Sequence, residues 1–285
     1  MKKILLCANP GRDKGLELTS KVYGMLTSLG AEPIVCPLAD RYGGYDVPSD
    51  MRFSTLSREV GGADMLIAFG GDGTILQTAR AAAPGGIPIL GVNLGKKGFI
   101  AELEKEDVGL IAKTISGDYS LDTRMMLDVT IERGGEKIHA DYALNDAVVG
   151  GIGRIIELSV FGDGQKISAF SGDGIVLSTP TGSTAYSMSA GGPIVEPAAE
   201  NIIVTPICAH VLIAKSFVLA PDRVVTAEIG RLGRKSAYLS VDGSASVSLE
   251  SGDIICVKKS AHVTKLVRVS DRSFYKIVSE KLGER

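Results

Sequence analysis

Two stretches of this sequence combine glycine, hydroxyl and carboxylate in patterns suited to phosphate chemistry. Gly70-Gly71-Asp72-Gly73-Thr74 follows the apolar run Met65-Leu66-Ile67-Ala68-Phe69 and precedes residues 75–81, which read as a helix ended by Pro84. Glycines let a ligand approach the backbone closely, and the N–H groups at a helix start offer donors and a partial positive charge to an anion. Asp72 is the odd member, because a carboxylate repels phosphate unless a metal ion or a hydroxyl substrate lies between them. Two roles are open for it: general base for a hydroxyl, or helix cap.

The second stretch, residues 171–193 (SGDGIVLSTPTGSTAYSMSAGGP), is a strand feeding a loop crowded with small hydroxyl residues. Thr181, Ser183, Thr184, Ser187 and Ser189 offer hydrogen bonds at low bulk, Asp173 can accept from an amide or hydroxyl, and Tyr186 offers a ring for a base to stack on. A third candidate is Asn145-Asp146, a polar pair that interrupts the apolar segment 144–149; a turn, a bulge or a site would each produce it. Two other glycine-containing segments are decoys. Residues 91–97 (GVNLGKK) are one residue short of a P-loop and no Ser or Thr follows the lysine, while Gly151-Ile152-Gly153 lacks the third glycine of a dinucleotide fingerprint. The four cysteines (7, 36, 208, 256) and three histidines (139, 210, 262) are scattered without ligand spacing. Reduced thiols packed in apolar segments are expected, with no metal held by protein alone and no catalytic histidine.

Positioning these residues requires strands that deliver loops to one edge. Lys3-Ile4-Leu5-Leu6-Cys7-Ala8, residues 33–37, residues 65–69 and residues 87–92 read as strands, with the third apolar throughout and so central. Between them Leu18, Val22, Met25, Leu26 and Leu29 fall at helical spacing before Gly30, and Val108, Ile111, Ala112 and Ile115 repeat that spacing. Alternating strands and helices predict a parallel sheet. Near Asp122 the texture changes to period-two alternation, in Leu127, Val129 and Ile131, again in residues 156–160 and again in 254–258, which predicts half-buried antiparallel strands. The tail 273–282 reads as a helix.

With 285 residues, 45% hydrophobic, the chain can bury two moderate cores. A formal net charge of −2 gives no global attraction for nucleic acid. The apolar stretches break before the roughly 20 residues of a membrane span. Met1-Lys2-Lys3 runs directly into a strand-like segment, so a cytoplasmic protein with no membrane partner is expected.

On these residues the chain resembles the NAD kinase family, within the wider group of kinases sharing a GGDG motif. Residues 70–73 resemble the GGDG motif itself, Asn145-Asp146 the family's NE pair, and residues 173–193 its long DG…STPTGSTAY…S…GGP segment; residues 91–102 and 206–216 extend the likeness over most of the chain. The resemblance implies an N-terminal α/β domain with a Rossmann-like parallel sheet (1–120), a C-terminal all-β, β-sandwich-like domain (121–270) and a terminal segment (271–285) with the option of packing back on the first. It further implies a substrate site between the domains and a homodimer or homotetramer. ATP would phosphorylate the adenosine ribose 2′-hydroxyl of NAD to give NADP, with Mg²⁺ or another divalent ion arriving on the ATP. Carried over by position, Asp72 is the general base, and Asp72, Gly73, Asn145, Asp146, Asp173, Thr181, Thr184, Ala185, Tyr186 and Ser189 line the NAD site. Gly70, Gly71, Arg154, Ser171, Cys208 and Ser244 border bound nucleotide more loosely, and Lys96, Lys97 or Arg154 would offset phosphate charge.

Two departures from the family pattern stand out: Asp146 replaces the usual Glu, shortening its reach by one methylene, and Ser171 stands where a basic residue is common. The rival readings are a lipid kinase sharing GGDG, which would need an apolar entry for an acyl chain, a nucleotide-binding regulator without turnover, and a phosphatase acting in reverse on NADP.

Overall fold

The computed structural model describes residues 2–38, 50–95, 98–210 and 215–283. The chain divides into two compact units, residues 1–123 with 263–285, and residues 124–262. Residues 263–285, which include the C-terminal segment, fall in the first unit.

In the first unit the strands Glu32–Val35, Lys3–Ala8, Met65–Gly70 and Ile89–Asn93 lie side by side in that order, all parallel. Met65–Gly70 is buried at every position, as an apolar run covered on both faces must be. Leu103–Glu104 runs parallel to the end of Ile89–Asn93, and Leu266, near the end of the long strand Ile254–Arg268, pairs with Ile89. Helix Glu17–Ser28 buries Val22 and Leu26. Gly30 follows it at φ 79°, a conformation that favours glycine. Helix Asp72–Ala82 sits against the sheet through Ile75, and a Cβ at Gly91 would lie 2.5 Å from the Ile75 Cδ1, so the close approach needs glycine there. The segment expected to be α-helical around Val108 winds first as a tighter 3₁₀ turn, Lys105–Ile111, and only then as Ala112–Ser116. The first buries Val108 and Ile111, and the second buries Thr114, with Ile115 partly buried against the core. The chain leaves the first strand toward one edge and the third toward the other. The loops after Lys3–Ala8 and Met65–Gly70 therefore diverge, which is where open parallel sheets leave a crevice for ligands.

Glu102 ties the returning C-terminal segment into this unit. It is 3% exposed, and its carboxylate accepts from Arg268 Nη1 (3.1 Å), Val269 N (3.0 Å), Ser270 N (2.8 Å) and Ser270 Oγ (2.6 Å). Arg268 also donates to Asp122 at 2.8 Å. The terminal helix Phe274–Leu282 starts at Ser273, whose side chain accepts from Lys276 N.

The second unit is antiparallel. One sheet of six strands runs Phe217–Leu219, Ile202–Ile207, Gly174–Ser178, Asp146–Gly151, Ala237–Val241, Val247–Leu249. Against it pack Gln165–Gly172, Ile156–Gly162, Val225–Ile229 and the first part of Ile254–Arg268, with Ser120–Arg133 and Glu136–Ala143 as a hairpin. Val149, Ile175, Leu177, Val204 and Leu239 meet Leu158, Val160, Ala227, Ile255 and Val257 in a shared core, the arrangement of a β-sandwich. No described helix is long and apolar enough to cross a membrane.

Glu102→Ala leaves the Arg268 guanidinium and two backbone N–H groups without their buried acceptor, so equilibrium unfolding in denaturant should show a loss of about 3–5 kcal/mol. Glu102→Gln, which keeps an acceptor, should lose less. A loss below about 1 kcal/mol for the alanine variant would show that the C-terminal segment does not depend on this carboxylate.

Candidate active site

The first unit presents Asp72 in a way that the sequence left open. Gly71, not Asp72, occupies the cap position, and Asp72 is the first residue of the helix. Its carboxylate turns away from the helix start and accepts from the loop after the fourth strand: Phe99 N at 2.8 Å and Ile100 N at 3.3 Å. The capping role is thereby set aside. Contact is so close at Gly98 that a Cβ there would overlap the Asp72 carboxylate. On the other side, Gly70 makes room for the Thr74 side chain, Asn9 Nδ2 reaches Thr74 Oγ1 at 3.4 Å, and Leu94 N donates to Gly70 O at 2.9 Å. Gly71 and Gly73 face open space. Lys96 and Lys97 lie outside the described residues.

In the second unit Asn145-Asp146 does not interrupt a strand. One strand ends at Ala143 and the next begins at Asp146, so the pair sits at a turn. That turn is gripped by Asp242, whose carboxylate accepts from Leu144 N (2.7 Å), Asn145 N (2.8 Å) and Asp146 N (3.0 Å). Asp242 adopts φ 49°, and its own N–H donates to Asp146 O at 2.9 Å. Asp146 is 6% exposed. Burial, together with the Asp242 charge, pushes its carboxyl up to about 7. Next to it, Asn145 Oδ1 and Ser178 Oγ are buried with no hydrogen-bond partner among the described residues, and Ser178 is the cross-strand partner of Asp146. Buried polar atoms are almost always paired, so two adjacent unpaired ones mark a place where a polar ligand would complete the bonding.

The hydroxyl-rich segment splits into two kinds of residue. Ser183 and Ser187 are fully buried and hold the loop's shape, Ser183 donating to Pro180 O (2.6 Å) and accepting from Val195 N (3.0 Å), and Ser187 bonding Thr205 (3.0 Å). Thr179 donates to Leu144 O at 2.6 Å, and Gly182 lies so close to the Asn145 backbone that a Cβ would strike it. The loop is thus fastened directly to the Asn145-Asp146 turn. Thr181 is 6% exposed and its Oγ1 accepts from Arg124 at 3.2 Å. Thr184 is buried and donates to Thr181 O at 3.3 Å. Ala185 is half-buried, whereas Ser189 and Asp173 are exposed.

Tyr186 is 44% exposed, a ring open to a planar partner. Its phenol is raised by partial burial and by Tyr238, Cys208, Asp173 and Asp146, which places these groups around it. Cys208 departs from the expectation of packed thiols: it is exposed, at φ 46°, and its thiol is raised by a hydrogen bond to Asp173. Ser244 is half-buried and closes a turn through Ser240 Oγ to Ser244 O (3.0 Å). Arg154 is exposed. Ser171 stands on the other sheet, lining a cavity of about 450 Å³ with Glu157, His210 and Glu228. Asp242, Ser178, Arg124 and Gly98 were not singled out from sequence. A lone Asp before Gly243 reads as an ordinary turn, and nothing local ties Gly98 to Asp72.

The first unit thus carries a carboxylate held at a glycine-rich loop on a parallel sheet, and the β unit carries two buried unpaired polar atoms and an exposed tyrosine. Residues 4–119 match the N-terminal domain of ATP-NAD kinase and residues 145–269 its C-terminal domain. The chain belongs to the NAD kinase family. It is 38% identical over 288 residues to the NAD kinase of Thermoanaerobacter sp. (strain X514), covering 100% of both chains. Against that of Natranaerobius thermophilus the identity is 39% over 286 residues, covering 99% of this chain and 98% of the relative. Among solved structures it is similar to yeast NADH kinase complexed with NADH, with a TM-score of 0.87 at 26% identity over 100% of this chain and 88% of that one. It shares its fold with an NAD kinase from Archaeoglobus fulgidus in complex with ATP (TM-score 0.74, 22% identity, 99% of this chain and 98% of that one).

The raised carboxyl of Asp146 makes stability depend on pH. Because its folded value of about 7 exceeds the ordinary 3.8, the native state holds the extra proton between those values. Stability contributed by the neutral acid is complete at the acid end and is lost as pH rises through about 7. Asp146→Asn should therefore melt above the parent at pH 8, with the difference vanishing near pH 4. A difference that does not change with pH would contradict the raised value.

Proposed function

We propose that this chain moves the terminal phosphoryl group of ATP onto the adenosine ribose 2′-hydroxyl of NAD, with Asp72 accepting the hydroxyl proton. The observation that carries the reading is the Asp72 carboxylate itself: two backbone N–H groups fix its orientation, while Gly71 and Gly73 beside it leave space for phosphate. A carboxylate is a weak base toward a sugar hydroxyl, but it need not ionise the hydroxyl in advance. Phosphoryl transfer passes through a loose transition state, so holding the hydroxyl in line and taking its proton late is sufficient. The ribose oxygen bonds to the terminal phosphorus, the bridging oxygen leaves on ADP, and the proton passes to Asp72. Magnesium enters as part of the Mg-ATP substrate and offsets charge on the phosphates.

The second unit serves the acceptor. Asn145 Oδ1, Ser178 Oγ and the Asp146 carboxyl offer hydrogen bonds to ribose hydroxyls, so that NAD completes the bonding of the two unpaired atoms. Tyr186 supplies a face for a base, and the exposed Asp173 and Ser189 supply polar contacts at its margin. This polar lining favours a dinucleotide over the acyl chain that a lipid kinase would take. Gly70, Arg154, Ser171, Cys208 and Ser244 take the more peripheral places around the bound nucleotides. A homodimer or homotetramer in the cytoplasm completes the reading, and light scattering on the purified protein tests the assembly.

The reading is tested by Asp72→Asn, which keeps size and shape but neither accepts the proton nor carries the charge. NADP formation from NAD and Mg-ATP should fall about 100-fold or more, as losses of a general base do, with NAD binding retained by calorimetry. A variant that forms NADP near the parent rate would remove Asp72 from the proton transfer.

A further inference from the structure

The loop that holds Asp72 is itself held. Residues 98–102 form no helix or strand, yet Ile100 and Ala101 are 4% and 0% exposed, so their carbonyls need donors from elsewhere in the chain. The C-terminal segment supplies them. Arg268 Nη1 donates to Ile100 O at 3.3 Å, and Arg272 Nη1 donates to Ala101 O at 3.2 Å and to Glu104 Oε1 at 3.3 Å. Lys281, on the terminal helix, sets its ammonium over the Phe99 ring, 3.9 Å from the centroid. That is well inside the roughly 6 Å within which a cation is drawn to an aromatic face.

Phe99 and Ile100 are also the two residues whose N–H groups hold the Asp72 carboxylate. Each residue that grips the acid is thus touched by a cation of the C-terminal segment: Phe99 through its ring by Lys281, and Ile100 through its carbonyl by Arg268. All of them belong to the first unit. Closing the core does not require this arrangement, because Val267, Val269 and Ile277 already bury the returning segment. The cations converge instead on residues 99–104. With the ring fixed at residue 99 and the carbonyl fixed at residue 100, the rigid peptide plane between them, which carries the Ile100 N–H, keeps little freedom.

We propose that the C-terminal segment positions the general base, with Lys281 as a positioning residue that acts through Phe99 and the loop N–H groups rather than by touching substrate. This role rests on the assignment of Asp72 as the proton acceptor. Loss of the ammonium leaves the nucleotide-binding residues of the second unit untouched but lets the loop, and the carboxylate with it, depart from the geometry of transfer.

The test uses the full-length protein with Lys281→Met, which keeps the stem but not the charge, and Lys281→Arg, which keeps both, assayed well below their melting temperatures. Lys281→Met should lower kcat for NADP formation about fivefold to tenfold, the size expected when a cation–ring contact is lost. KM for NAD and for Mg-ATP should stay within about twofold, and Lys281→Arg should keep kcat within about twofold of the parent. In an Asp72→Asn background, Lys281→Met should cost nothing further, because the group that it positions is already gone. Hydrogen exchange at the Phe99 and Ile100 amides should be faster in Lys281→Met and unchanged in Lys281→Arg. An unchanged kcat, a loss that Lys281→Arg shares, a rise in KM without a fall in kcat, or an undiminished loss in the Asp72→Asn background would overturn the positioning role. If the parent makes no NADP, the assigned reaction fails instead, and the exchange rates then decide whether Lys281 holds the loop: faster exchange at the two amides supports it, and unchanged exchange overturns it.

Discussion

The grip of two backbone N–H groups on the Asp72 carboxylate is the constraint on which the rest of the first unit turns. Phe99 and Ile100 hold the acid away from the helix that it begins, and the carboxylate fills the space that a side chain at position 98 would need. A parallel sheet delivers both parts to the same edge: the third strand ends in the glycine-rich loop, and the fourth leads into the loop that does the holding. The buried apolar strand and its packed helix therefore serve to fix a single oxygen pair. Orientation of this kind can supply much of a transfer reaction's acceleration, because the chemistry itself asks little of the base.

In the second unit the same economy appears as stored instability. Asp242 organises three consecutive N–H groups, and in doing so it sets one carboxylate beside another. Asp146 is buried and raised to about 7, and two polar atoms next to it lack partners. The three bonds to Asp242 favour folding, but the buried carboxyl and the two unpaired atoms oppose it. A bound dinucleotide would relieve both, which is how binding sites commonly trade stability for affinity. The fastening of the hydroxyl-rich loop by Ser183, Ser187 and Thr179 keeps this unfavourable arrangement from relaxing.

Much of this was legible in the sequence, for identifiable reasons. Period-two alternation in residues 127–131 and the unbroken apolar run at 65–69 report burial directly, so the change from α/β to antiparallel architecture could be placed near Asp122. The glycine-rich loop and the Asn145-Asp146 pair could be singled out because polar residues amid apolar ones need a reason. What could not be read depends on contacts across the chain. Asp242 lies 96 residues from Asp146, and Gly98 acquires meaning only when Asp72 is folded against it. Ser183 and Ser189 look equivalent in sequence, yet one is sealed inside and the other exposed.

If the loop at residues 98–100 places the Asp72 carboxylate for proton transfer, Gly98→Ala should displace the base. Gly98 does not occupy a positive φ, so alanine adds a methyl group against the carboxylate without straining its own backbone. Turnover in NADP formation should fall about 100-fold, as a displacement near 1 Å at a reacting group can cost, while the melting temperature changes little and NAD still binds by calorimetry. A Gly98→Ala protein that turns over at the parent rate would contradict it.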